Sequence, residues 1–150
     1  MTSIFNRNFK IVLVLFILLD LLCVGMGMGV PIFCILFGFV VGWYTAKRIS
    51  VLDLSIKDTL HRLLKYAIIT SLFTFLVMCV IWGRTIILLF DPASDFKNFG
   101  IPMILYEPKA SFIGWLVLMV FISPFLQLLT TIFASYLTLQ HRFRNDKISL

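Results

Sequence analysis

Asp20 is the residue of this sequence best placed to do chemistry. It is the only charged residue between Ile11 and Ala46, in a stretch that is otherwise almost wholly apolar. Such a stretch of 18 or more residues reads as a membrane-crossing helix. At about 1.5 Å of rise per residue, Asp20 lies roughly 14 Å beyond Ile11. The hydrocarbon core of a bilayer is about 30 Å thick, so the carboxyl sits close to the midplane. An acid there costs about 2.5–3.5 kcal/mol on insertion scales and must face the interior of a helix bundle. Two chemistries suit it. One is a proton or cation relay. The other is a protonated acid hydrogen-bonded to a neighbouring helix, which holds the bundle in register. No second acid stands inside an apolar run to take a proton onward, which tilts the reading toward packing and leaves both open.

The same rise places further polar groups near that depth. Thr74 comes about 12 Å into the third apolar run, and Ser123 reaches the midplane from the opposite side, with Gln127 about 6 Å further along. Asp20, Thr74, Ser123 and Gln127 therefore form the candidate intramembrane polar cluster, flanked by Thr70, Ser71, Thr130 and Thr131. Each hydroxyl alone more often bonds its own helix backbone than a ligand. Pro124 adds to the cluster by leaving the Val120 carbonyl without its helical donor. Arg84 falls near the outer interface, where it can snorkel toward Asp91 or Asp95.

Several chemistries lack their residues. The two histidines, His61 and His141, flank the apolar runs, so no haem is expected between helices. Cys23, Cys34 and Cys79 form no CxxC pair, and they read as small buried hydrophobes. Cys23 and Cys34 bracket a tight turn, which leaves a bridge between them open. Asp91, Asp95 and Glu107 are too few and wrongly spaced for a calcium loop. There is no phosphate-binding glycine loop and no convergent nucleophile set. No catalytic residue, metal or cofactor is expected, and the chain does not read as an enzyme.

The elements that must hold Asp20 follow from composition. The 150 residues are 61% hydrophobic and 13% charged, against about half and about a quarter in a soluble domain. Four apolar runs predict spans at about 11–28, 31–46, 66–90 and 112–139, all in one transmembrane domain covering residues 1–150. The expected fold is an all-α integral membrane protein, four transmembrane helices in an up-down antiparallel bundle. Gly25, Gly27, Gly29 and Pro31 break the first run from the second. Arg7 and Lys10 ahead of the first run imitate a signal peptide, but no Ala-x-Ala site follows, so the segment is retained as a span. Trp43 and Tyr44 belt the end of span two.

Ile49–Lys65 alternates differently. Ser50 with Asp53, and Ser55 with Asp58, have capping-box spacing. Leu60, Leu63 and Leu64 oppose Lys57, His61, Arg62 and Lys65, which predicts a short amphipathic cytoplasmic helix running into span three. Asp91–Lys109 is a polar outer loop. Ten basic residues fall on the side of the termini and Lys47–Lys65, and two, Lys97 and Lys109, on the other. The positive-inside rule then places both termini in the cytoplasm of a cell (plasma or inner) membrane.

The net charge of +6 stands beside the spans and not in a groove with aromatics, so nucleic acid is not the expected partner. Lys57, Arg62 and Lys65 instead face anionic headgroups of the lipid bilayer. Gly38 and Gly42 make a GxxxG helix-packing face, suited to a helix of this chain, a homo-oligomer or another membrane protein. The function these features point to is a non-catalytic accessory or scaffold subunit. The alternative is a small oligomeric transporter or channel with Asp20 as its proton- or cation-coupling group.

Overall fold

A computed structural model describes residues 9–26, 32–51, 55–101 and 103–148. Among these the chain is helical, without strands: α1 (Phe9–Met26), α2 (Ile32–Ser50), α3 (Ile56–Gly83), α4 (Pro108–Val117) and α5 (Ser123–Ile148). A 3-10 segment, Arg84–Phe90, extends α3, and a π-helical turn, Leu118–Ile122, joins α4 to α5. Three stretches are long and apolar enough to cross a membrane: Ile32–Ser50, Ile56–Phe90 and Pro108–His141. Gly27, Gly29 and Pro31, expected to break the first run, lie outside the described residues, as do Arg7, Asp53 and Pro102.

Each helix buries one narrow stripe and exposes apolar residues around the rest. On α1, Val12, Phe16 and Asp20 recur every four residues and are buried, while Val14, Leu15 and Leu18 between them are exposed. A four-residue interval keeps side chains on one helical face. Phe16 meets Phe37 and Tyr44 of α2 edge-on, with centroids 6.1 and 5.6 Å away. The buried stripe of α2 runs Cys34, Phe37, Gly38, Val41, Gly42, Thr45, Ala46 and Ile49. Near its end Lys47 Nζ lies 4.5 Å from the centre of the Trp43 ring, a cation–π contact one turn apart. α5 is the central element, packed most extensively against α2 and also against α3, and α1 leans on α2 and α3.

The amphipathic segment is not a separate helix. It forms the first turns of α3, a continuous 28-residue helix. Ser55 caps it: its Oγ accepts from the Asp58 N–H at 3.2 Å and donates to the Asp58 carboxylate at 2.6 Å. Ser50 is the last residue of α2 and donates its hydroxyl to Lys47 O at 2.8 Å, and its capping-box partner Asp53 lies outside the described residues. Of the three leucines, Leu63 is buried against Ala46 and Ile49, while Leu60 and Leu64 stay exposed beside Lys57, Arg62 and Lys65. Thr59, four residues before Leu63, completes the inward face.

The 91–107 segment is pinned at several points. Asp91 accepts from the Ala93 N–H, and Asp95 accepts from the Lys97 and Asn98 N–H groups and from the Asn98 side chain. The Asn98 amide and these backbone donors hold the Asp95 carboxyl below the usual carboxylate range. Phe96 and Phe99 both stack on the buried Phe112, with centroids 5.1 and 4.9 Å away. Ser111 Oγ accepts from the N–H groups of Ile104 and Leu105. Gly100 takes φ +82°, a left-handed conformation open to glycine without steric cost. The segment expected as a polar loop keeps most of its residues exposed and is folded back onto the start of α4.

Candidate functional site

Asp20, Thr74 and Gln127 come from α1, α3 and α5 and meet in the bundle interior. Their relative exposures are 1%, 0% and 0%. Thr74 Oγ1 stands 2.5 Å from Asp20 Oδ2 and 2.5 Å from Gln127 Oε1. Gln127 Nε2 donates to Asp20 Oδ1 at 2.8 Å. The three contacts close a ring, and every side-chain oxygen in it has a partner. Thr70 O lies 3.2 Å from the same Thr74 hydroxyl. A buried carboxyl among apolar helices is tolerable only where its oxygens are engaged in this way.

Ser123, the fourth residue of the sequence-based cluster, is equally buried at 1% exposure but stands apart from the ring. Its Oγ has no hydrogen-bond partner. The depth estimate put Ser123 at the level of Asp20 and Gln127 one turn away, whereas the residue that reaches Asp20 is Gln127. Just before both residues the backbone makes the π-helical turn. Pro124 has no N–H and its ring crowds the preceding turn, and the chain widens ahead of it, with the Ser123 N–H bonding Leu118 O five residues back. The sequence flags a missing donor but not how the backbone responds.

Around the ring, hydroxyls bind the helices together. Thr130 Oγ1 donates to Ile35 O of α2 at 2.9 Å, with Gln127 O a competing acceptor at 3.0 Å. Ser135 Oγ lies 3.1 Å from Gly42 O of α2 and 2.8 Å from Thr131 O of its own helix. Ser71 Oγ of α3 donates to Pro124 O of α5 at 2.6 Å. Thr70, Thr45 and Thr131 bond only to carbonyls of their own helices. Thr45, Thr59, Ser111 and Ser135 are the buried polar residues that sequence reasoning passed over. Ser135 stands four residues past Thr131, on the face already assigned, and that spacing was the available signal.

Gly38 and Gly42 face α5 directly. A Cβ on Gly38 would meet Thr130 Oγ1, and Gln127 O at 2.7 Å, while one on Gly42 would meet Thr131 O, and Ala134 Cβ at 2.9 Å. The glycine face is therefore occupied within this chain, and it brings the α2 and α5 backbones close enough for the hydroxyl-to-carbonyl bonds above. Arg84 is exposed at the start of the 3-10 segment, at the far end of α3 from Ser55. Cys23, Cys34 and Cys79 are free thiols. Chemically, the assembled site can hold three helices together and can hold a proton.

No family model, curated protein or solved structure matches the chain. Its function is therefore argued from the residues alone.

Proposed function

We propose that the chain is a small multi-pass membrane protein acting as a non-catalytic accessory or scaffold subunit. In this reading α1, α2, α3 and the α4–α5 rod cross a cell membrane as an up-down bundle with both termini cytoplasmic. The observation that carries it is the closed Asp20–Thr74–Gln127 ring. The one mid-membrane acid has both oxygens engaged by neighbouring helices, as suits a crosslink. The apolar surface of the bundle, including Leu18, Leu72, Val80, Phe121 and Phe125, faces lipid or a partner's membrane helix. Lys57, Arg62 and Lys65 lie at the head of α3, where anionic lipid headgroups would meet them.

Purification in mild detergent, followed by identification of co-purifying chains, tests the reading. A stoichiometric membrane partner supports it. A chain that purifies alone and drives ion or proton flux in vesicles overturns it. The second reading, a small oligomeric transporter, draws on Ser123, a buried unpaired hydroxyl one turn from the ring on α5. Asp20→Asn separates the two: partner binding survives it, and proton-coupled flux does not.

A further inference from the structure

The ring contains three heavy-atom contacts: Asp20 Oδ2 to Thr74 Oγ1, Thr74 Oγ1 to Gln127 Oε1, and Gln127 Nε2 to Asp20 Oδ1. Each needs one hydrogen between its two atoms. The Thr74 hydroxyl has a single hydrogen, and only one amide atom of Gln127 carries hydrogens. Two hydrogens must then serve three contacts. With an ionised Asp20, two oxygens face each other at 2.5 Å with nothing between them. Reversing the Gln127 amide does not help, because its oxygen then faces Asp20 and the deficit moves there. This matters because the amide orientation is an assignment and the count is independent of it.

We infer that Asp20 is a proton-binding site and carries a proton in the folded bundle, supplying the third hydrogen of the ring. Asp20 donates to Thr74, Thr74 donates to Gln127, and Gln127 donates back to Asp20. Every group gives one hydrogen and accepts one. The groups packed against Asp20 agree with this. α3 and α5 present Thr74 and Gln127, both uncharged, and the titratable groups coupled to it are the thiols of Cys23 on α1 and Cys34 on α2. Neither supplies a positive charge to hold a carboxylate. The inference rests on the ring and not on the scaffold reading above.

Its consequence is specific. Asparagine offers an amide N–H₂ where the protonated acid offers O–H, so Asp20→Asn rebuilds the same cycle of donors. Loss of the proton leaves one of the two Thr74 contacts, to Asp20 or to Gln127, without a hydrogen. The folded state binds one proton more than a state in which Asp20 is free and ionised, so stability falls as pH rises. Asp20→Asn removes that dependence.

The test uses the full chain in phosphatidylcholine vesicles at neutral pH, with infrared spectra taken with and without carboxyl-¹³C aspartate. The expected result is a protonated-carboxyl stretching band that moves on labelling and disappears in Asp20→Asn. A labelled spectrum with only carboxylate bands overturns the inference, and this arm needs no variant to fold. In a thermal melt Asp20→Asn should keep the wild-type midpoint near neutral pH, while Asp20→Leu, Thr74→Val and Gln127→Leu lower it. A fall in Asp20→Asn equal to that in Asp20→Leu also overturns it. Neither readout depends on which chains co-purify.

Discussion

At the scale of single residues, the polar groups of this bundle differ in what their loss would do. A bond that has an alternative acceptor on its own helix is cheap to remove. Thr130 is such a case, with Gln127 O beside Ile35 O, and Thr130→Ala should cost about 0.6 kcal/mol, the average for interhelical bonds in membranes. Thr74 differs in that two buried side chains depend on it, although Thr70 O also lies 3.2 Å from its hydroxyl. Replacing it with Val strands oxygens of both Asp20 and Gln127, and an unsatisfied buried polar group costs about 1–3 kcal/mol. Thermal melts of the two variants in one detergent should rank Thr74→Val well below Thr130→Ala. Gly42 stands at the other extreme, since a side chain there meets the α5 backbone at Thr131. Backbone cannot rotate aside, and Gly42→Leu should cost about 3 kcal/mol. Asp95, in the 91–107 segment, offers a pH test. Its depressed carboxyl favours the folded segment above the usual carboxylate range, and that contribution is lost as pH falls through its lowered value. Asn98→Ala should move the Asp95 titration, followed by NMR, back toward ordinary aspartate.

At the scale of elements, the sequence is readable wherever periodicity decides and opaque wherever backbone geometry does. The helices sit close to the apolar runs, and the rise per residue brings Thr74 to the level of Asp20 because nothing interrupts α1 or α3 between the membrane flank and those residues. On the α4–α5 rod the same arithmetic offers both Ser123 and Gln127 to Asp20 and does not choose between them; the structure brings Gln127 to it. The Ser55 cap is legible because a capping box is local. The anchoring of the 91–107 segment on Phe112 is not, since Phe96 and Phe99 have no repeating interval. Which hydroxyls cross between helices is equally illegible. Ser71 and Thr70 are neighbours, yet one reaches Pro124 O and the other stays on its own helix, a choice made by the facing surface. Ser111→Ala should free the Ile104 and Leu105 N–H groups, and hydrogen exchange at those amides should quicken while exchange in α3 is unchanged.

At the scale of the whole molecule, the proposed topology places the 91–107 segment and the head of α3 on opposite sides of a membrane. A cysteine at the exposed Lys97 should react with an impermeant thiol reagent in intact cells, and one at the exposed Lys57 should not. Labelling at Lys57 would end the four-span proposal. The α4–α5 rod has to serve both ends of this molecule, seating the 91–107 segment on Phe112 and α2 on Thr131, which are 0% and 2% exposed. In a regular helix each residue advances the face by roughly 100°, at 3.6 residues per turn. Phe112 and Thr131 would then point roughly 100° apart, because nineteen such steps overshoot five whole turns by one. Eighteen would bring them back into line. The π-helical turn absorbs that surplus step, so the rod behaves as if it held one residue too many and had coiled it aside. The reading frame of the bundle is thus one residue shorter than the chain. Deleting the exposed Phe121 together with Pro124→Ala should leave Gln127 aimed at Asp20, with a melting midpoint near that of the wild type. Deleting Leu129, also exposed, should instead swing Thr131 and Ser135 off α2 and unfold the bundle.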